Sequence, residues 1–200
     1  RKIEKGSIFF ALKGPSFDGN QFAQNALDAG AVLAVIDDPK YKGENTFVVN
    51  DVLTALQDLA VEHRANLEIP VIGLTGSNGK TTTKEVIASI LGTQYKISFT
   101  QGNLNNHIGV PLTLLSIPLD CEIAIIEMGA NHQGEIEELC NLCIPTHGLI
   151  TNYGKAHLEG FGGVEGVIKG KSELYQALER TEGYAIINGN DEIQMEKLEY

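Results

Sequence analysis

The sequence predicts an α/β protein in two parts: a small N-terminal α/β unit, then a larger domain whose mostly parallel sheet is flanked by helices and carries a phosphate-binding loop. Three observations lead there. Short apolar runs alternate with segments of helical periodicity along most of the chain. The run Val71-Ile72-Gly73-Leu74-Thr75 leads straight into Gly76-Ser77-Asn78-Gly79-Lys80-Thr81-Thr82 and then into an amphipathic segment. Glu68-Ile69-Pro70 interrupts the pattern, because proline lacks the backbone donor and disfavours helix at the residue before it, so a boundary is expected near residue 69.

In the first part, strands are expected over 7–12, 31–36 and 46–49. A helix is expected over 22–29, with Phe22, Ala23, Ala26 and Leu27 on one face, and another from Leu53 through Leu56, Leu59 and Ala60 to about Arg64. In the second part, strands are expected over 71–75, 96–99, 123–127, 148–151 and 184–188, with helices at about 81–92, 108–116, 134–143 and 163–180. Near-continuous apolar strands separated by helices imply a parallel sheet covered on both faces. Ligands of such sheets lie beyond the carboxyl ends of the strands, which picks out the loop after residue 75, Glu127 and Thr151-Asn152.

Two hundred residues, 42% of them hydrophobic, suffice for one good core or two small ones. The formal net charge of −11 argues against nucleic acid or an anionic membrane as the main partner, and no apolar stretch reaches the length of a membrane span. The odd count of three cysteines suggests a reducing compartment. Cys140 and Cys143 form a C-x-x-C with His147 close behind, but no second pair completes a metal site. Ile136, Leu139, Cys140 and Cys143 fall at helical spacing, so core packing is the expected role of both thiols.

Strand, glycine-rich loop, Gly-Lys-Thr and helix together form a cradle for a nucleoside triphosphate. Glycines turn N–H groups inward around phosphate oxygens, and the helix N-terminus adds partial positive charge. Gly76, Ser77, Asn78, Gly79, Lys80, Thr81 and Thr82 are the expected contacts, with Lys80 on the outer phosphates and the Thr81 hydroxyl on Mg²⁺. The strict pattern wants another glycine where Leu74 stands. Glu127 closes an apolar strand where a second Mg²⁺ ligand is needed, the alternative being a solvated carboxylate. For His157, position alone does not separate a ligand from a surface residue. Lys171 lies on the apolar stripe of Val164, Val167, Ile168, Leu174, Tyr175 and Leu178. Such a lysine either loses hydration, with a lowered pKa and an amine free to react with CO₂, or reaches water past a buried stem. Asn103, Asn105 and Asn106 precede an apolar helix; such amides cap helices or contact phosphates and carboxylates.

The loop at 73–82 resembles the nucleotide loop of the Mur ligases, ATP-dependent amide-bond-forming enzymes of peptidoglycan synthesis. Further likeness lies in Thr81-Thr82-Thr83-Lys84-Glu85, in Gly102 through Pro111, in Ile126-Glu127-Met128-Gly129-Ala130 with Gly134-Glu135, and in Thr151-Asn152 with Ala156-His157-Leu158-Glu159-Gly160-Phe161-Gly162. Gly6-Ser7-Ile8-Phe9-Phe10-Ala11-Leu12-Lys13-Gly14 and Phe17-Asp18-Gly19 resemble the family's UDP-binding domain, which would then occupy residues 1–69, with a central ATP-binding domain over 70–200.

The resemblance implies that Lys80 contacts ATP, that Thr81 and Glu127 hold one Mg²⁺, and that His157 helps hold a second. It implies catalytic roles for Lys80, His157 and Lys171, the last as a carbamate supporting the second metal. It places Asn188 near the adenine, although Asn190 stands where the family has an acid. Substrate contacts are expected at Arg1, Lys13, Asp18, Gly19, Asn103, Asn106, Thr151 and Asn152; His107 is given no role. The implied reaction joins D-alanyl-D-alanine to a UDP-N-acetylmuramoyl tripeptide through an acyl phosphate, in a cytoplasmic monomer. Alternatives are the family's third-residue-adding ligase, a folylpolyglutamate synthetase, and a non-catalytic nucleotide-binding module. The chain opens on Arg1 and ends at Tyr200, inside what the resemblance makes the central domain, so it is expected to be a fragment that is inert alone.

Overall fold

The computed structural model describes residues 3–196, so Arg1 lies outside the described residues. The chain forms two compact units, which divide between Leu59 and Ala60.

In the first unit, β1 (Ile8–Phe10), β4 (Leu33–Ile36) and β5 (Thr46–Val48) make a parallel three-stranded sheet in the order β1-β4-β5. Between β1 and β4 lie a small hairpin, β2 (Lys13–Gly14) with β3 (Phe17–Asp18), and helix α1 (Ala23–Asp28). Helix α2 (Val52–Ala65) follows β5. Ala23, Ala34, Val35, Ile36 and Val52 form the core. The hairpin is absent from the sequence expectation because two-residue strands leave no period to read. It is held by Asn20, which is fully buried and gives its amide to both Asp18 (2.7 Å) and Asp37 (2.8 Å). Lys13 closes the group with a 2.8 Å ion pair to Asp37.

The division of the units falls within α2, upstream of the boundary expected near 69. The physical reason lies in the last turns of the helix, where Ala60 enters the core of the second unit and Arg64 is buried there. Arg64 gives hydrogen bonds to three carbonyls: Cys143 (2.8 Å), Leu67 (2.8 Å) and Ile144 (2.9 Å). A cation at a helix C-terminus also complements the helix dipole. Arg64→Met leaves those carbonyls buried without a donor, and is expected to lower stability by about 3 kcal/mol, read from the urea midpoint of unfolding.

The second unit is a five-stranded, all-parallel sheet ordered β10-β9-β6-β8-β7. In chain order its elements are β6 (Val71–Thr75), α3 (Lys80–Leu91), β7 (Ile97–Phe99), α4 (Gly109–Leu115), β8 (Ile123–Glu127), α5 (Glu135–Cys143), β9 (His147–Ile150), α6 (Leu158–Phe161), α7 (Val164–Arg180), β10 (Tyr184–Ile186) and α8 (Glu192–Glu196). The strands and long helices stand within a residue or two of expectation. Two short helices, α6 and α8, were not anticipated, being too brief to show a helical period.

Two cores cover the sheet. On one side Val110, Leu114, Ile126, Met128, Ile136, Leu139, Cys140, Cys143 and Leu174 pack from α4, β8, α5 and α7. On the other, α3 packs Ala88, Ile87 and Leu91 against Leu74, Ile125 and Phe99. Both α5 thiols therefore belong to the core, each 3.8 Å from the Met128 sulfur, and burial pushes the Cys143 thiol up to about 12. Leu74 is fully buried within β6, so the position that the strict loop pattern gives to glycine is still strand here.

Candidate active site

Parallel pairing brings the useful strand ends to one rim. Leu74 of β6 stands opposite Glu127 of β8, and Thr75 opposite Ile150 of β9. The loop between β6 and α3 leaves the sheet at Gly76, whose φ of +145° suits glycine; Gly79, at +77°, starts α3. A Cβ on Gly76 would collide with the Thr151 hydroxyl. Gly76→Ala is accordingly expected to destabilise the domain by about 2 kcal/mol and to weaken ATP binding at least tenfold, as measured by thermal unfolding and by titration with ATP.

The loop is braced from the end of β9. Asn78 O accepts from the Thr151 hydroxyl (2.6 Å) and from Asn152 Nδ2 (3.0 Å), while Asn152 accepts from the Asn78 (3.2 Å) and Ser77 (3.1 Å) amides. Thr151 and Asn152, expected at the substrate, thus shape the loop directly. Ser77 Oγ adds a 2.7 Å bond to Gly154 O. The first-turn amides of α3, at Lys80, Thr81 and Thr82, have no acceptor within the helix and remain for an anion.

Lys80 Nζ donates to Gly76 O (2.8 Å), folding the side chain back over the loop. Burial lowers its pKa, and Glu127 opposes that. Glu127 is 1% exposed. Its Oε1 accepts from Asn105 Nδ2 (2.8 Å) and lies 3.4 Å from Thr81 Oγ1. Its Oε2 is buried with no hydrogen-bond partner. A buried carboxylate with one unsatisfied oxygen, touching a threonine hydroxyl at the mouth of a phosphate loop, fits a hard divalent cation such as Mg²⁺. Among the described residues no group of three or more His, Cys, Asp or Glu side chains is placed to share a metal. A cation here must therefore draw on hydroxyl, phosphate and water oxygens, as Mg²⁺ does.

Beside the loop lies a cavity of about 370 Å³, lined in part by Lys80, Asn105, Asn106, Asn131, Glu135 and His157. His157 caps α6 in a left-handed conformation (φ 52°). Lys171 is 2% exposed on the inner face of α7, so it is desolvated and the snorkelling alternative falls away. Its Nζ lies 3.3 Å from Ala130 O and 4.9 Å from the centre of the Phe161 ring. Burial first, then the charge of Lys80, lower its pKa to about 8, with Glu135 and Glu173 opposing.

Of the other expected residues, Asn106 lines the cavity and caps α4 through the Gly109 (2.8 Å) and Ile108 (3.2 Å) amides, and Asn103 is exposed. Asn188 is exposed and accepts from the Asn190 amide (3.0 Å). Lys13, Asp18 and Gly19 lie together around Asn20 in the first unit; a Cβ on Gly19 would run into the backbone at Leu12 and Ala11.

Two site residues, Glu173 and Lys84, were missed from sequence, and Asn105 was named there without its partner. Asn105 holds Glu127. Glu173, on α7, takes the Gly134 (2.6 Å) and Glu137 (3.0 Å) amides and so caps α5 from outside. Lys84 is fully buried behind Glu127; its spacing with Ala88 and Leu91 on the inner face of α3 was the available signal.

A parallel sheet whose central strand feeds a glycine-rich loop into a helix, with a buried carboxylate ending the next strand, defines a phosphate-loop nucleotide-binding domain. Residues 74–199 match the Mur ligase middle domain, and residues 1–73 match a second region described as "Mur ligase family, catalytic domain". The chain belongs to the Mur ligase family. It is 45% identical over 195 residues to UDP-N-acetylmuramoyl-tripeptide–D-alanyl-D-alanine ligase of Bacillus subtilis, an alignment that spans 96% of this chain and 42% of that protein. Among solved structures, it superposes on MurF from Acinetobacter baumannii with a TM-score of 0.89 at 40% identity, covering 98% of this chain and 44% of that one. The Thermotoga maritima MurF ligase in complex with ADP gives a TM-score of 0.89 at 32% identity, covering 99% and 46%. The chain thus spans under half the length of the curated relatives it matches. No helix among the described residues is long and apolar enough to cross a membrane.

Proposed function

We propose that the protein is an ATP-dependent ligase that joins D-alanyl-D-alanine to a UDP-N-acetylmuramoyl tripeptide. The observation that carries the nucleotide half of this reading is the approach of the Thr81 hydroxyl to Glu127 (3.4 Å) beside Lys80, at a loop whose first-turn amides are free for phosphate. The substrate half is supported by relatives that align over nearly the whole chain and are named as UDP-N-acetylmuramoyl-tripeptide–D-alanyl-D-alanine ligases.

The chemistry joins two anions, a substrate carboxylate and the γ-phosphate, so charge must be neutralised where they meet. Lys80 would release Gly76 O and turn to the outer phosphates. The loop amides, fixed by Thr151 and Asn152, would hold the phosphates in line for attack by the carboxylate. Thr81 and Glu127 would hold Mg²⁺, which supplies Lewis-acid stabilisation of the phosphoryl oxygens. Lys171, desolvated and part-neutral near pH 8, would carry a carbamate, and with His157 would support a second cation. Attack by the carboxylate would break the bond between the γ-phosphorus and the β,γ-bridging oxygen and release ADP, leaving an acyl phosphate; the amine of the dipeptide would then attack the acyl carbon, with phosphate and the amine proton leaving. The first unit would bind the UDP portion through Lys13, Asp18 and Gly19, and Asn103 and Asn106 would face the substrate. We assign the working state to a cytoplasmic monomer.

The test is a substrate panel scored by ADP release from the full-length protein. ADP release that requires both the UDP-linked tripeptide and D-alanyl-D-alanine is expected. Release with the UDP-linked dipeptide and a diamino acid, or with a folate and glutamate, would move the assignment to a sister ligase. The 200-residue span alone, less than half the length of its relatives, is expected to form no product.

A further inference from the structure

Lys84 is among the largest fully buried side chains and has no role in the scheme above. It lies on the inner face of α3, one turn after Thr81. Taking an ammonium out of water is costly, and the partners here are specific. Nζ donates to Thr100 O at 2.7 Å, lies 3.2 Å from the half-exposed Glu85 carboxylate, 3.8 Å from Glu127 Oε2, and 5.7 Å from the centre of the Phe99 ring. Thr100 in turn accepts the Glu127 amide on its hydroxyl (2.9 Å). Three elements therefore converge on one cation: α3, which carries Thr81; the end of β7; and the end of β8, which carries Glu127.

The distances are unequal in a telling way. The 2.7 Å bond to Thr100 O fixes the ammonium. The 3.8 Å separation from Glu127 Oε2 supplies opposite charge but no hydrogen bond, and that oxygen has no other donor. A contact shorter by an ångström would satisfy the carboxylate and set it against any incoming cation. The arrangement holds the carboxylate in place while leaving it coordinatively unsaturated.

We propose that Lys84 is a positioning residue for the cation site. It fixes the spacing between Thr81 and Glu127 and offsets the buried carboxylate charge without consuming its free oxygen. The inference rests on the reading of Thr81 and Glu127 as Mg²⁺ ligands, and goes beyond it by assigning the group that sets their geometry.

The test uses the full-length protein and two ligands measured separately. ADP binding without divalent metal is followed by fluorescence competition in EDTA, and Mn²⁺ binding to the ADP complex by electron paramagnetic resonance. The wild-type protein checks the underlying reading: if Mn²⁺ is not taken up with ADP, or if Glu127→Gln leaves uptake unchanged, that reading fails before Lys84 is tested. With those controls met, Lys84→Met is expected to weaken Mn²⁺ binding by about 10-fold or more, in the range found for outer-shell partners of metal ligands. Metal-free ADP affinity is expected to stay within about twofold, because Lys84 touches no phosphate-binding group. In the Glu127→Gln background, the same substitution is expected to add little. A purely structural lysine would move both affinities together, or neither, and either result overturns the proposal. If Lys84→Met does not fold, Lys84→Gln, which keeps a donor, is read by the same criteria. Failure of both to fold assigns Lys84 to the core and also overturns the proposal.

Discussion

Lys171→Ala is expected to abolish turnover in the full-length protein while sparing nucleotide binding. The lysine lies on α7, deep in the second unit, and its amine points to Ala130 O rather than to the loop. Its influence on the loop runs through charge, since Lys80 is one of the two causes that lower its pKa. A group that serves the reaction but does not hold the nucleotide should change kcat far more than ATP affinity. A loss in kcat on the order of 100-fold or more, with ATP affinity within about threefold, is the expected pattern. Unchanged turnover would favour a nucleotide-binding module in which the lysine merely fills the core.

The same residue makes a prediction about stability. Its pKa in the folded protein is about 8, below the ordinary 10.5, so between those values the unfolded chain binds more protons at this position than the folded one. Stability therefore rises with pH across that window. Below about pH 8 the full cost of burying the cation is present, and above about 10.5 it is gone. The charges that act on the amine are part of the shift, Lys80 lowering the pKa and Glu135 and Glu173 opposing. In bicarbonate-free buffer, Lys171→Met is expected to lose this rise, so that wild type gains about 3 kcal/mol relative to the variant between the two ends of the window. Parallel stability profiles for the two proteins would show that Lys171 is charged, or modified, throughout.

Glu127→Gln is the second large effect. The substitution keeps size and one acceptor but removes the negative charge next to Thr81. Nothing else among the groups around Thr81 replaces that charge, because Asn105 donates a hydrogen bond to the same carboxylate and Lys84, 3.8 Å from its other oxygen, is itself a cation. Turnover is expected to fall on the order of a thousandfold, with half-saturation by Mg²⁺ shifted upward at least tenfold, measured as ADP release against free Mg²⁺. A variant that turns over normally at ordinary Mg²⁺ would remove Glu127 from the cation site.

Much of this was legible in the chain. Val71 to Thr75 and Ile123 to Glu127 are strands with the boundaries read from their apolar runs, because a strand buried on both faces stays apolar until the polar residue, Thr75 or Glu127, that closes it. Lys171 could be placed inside because Val167, Leu174 and Leu178 fix the helix phase around it. What escaped was what needs a second element to define it. The bonds of Thr151 and Asn152 to Asn78 are invisible in the chain; only the pairing of β6 with β9 brings them to the loop. Asn105 and Asn106 are indistinguishable as letters, yet one donates to Glu127 and the other caps α4. The division into compact units lies upstream of Pro70 for the same reason: Pro70 is visible as a breaker, whereas the burial of Arg64 against the end of α5 is a tertiary fact.

The most direct test of the central claim is a crystal structure of the full-length protein grown with Mg²⁺ and a non-hydrolysable ATP analogue. The expected density places the β- and γ-phosphates against the amides at the start of α3, with Lys80 turned away from Gly76 O and a metal ion between the Thr81 hydroxyl and the Glu127 carboxylate. Nucleotide bound elsewhere, or a Glu127 carboxylate still closed on Asn105 with the metal held by other groups, would contradict it.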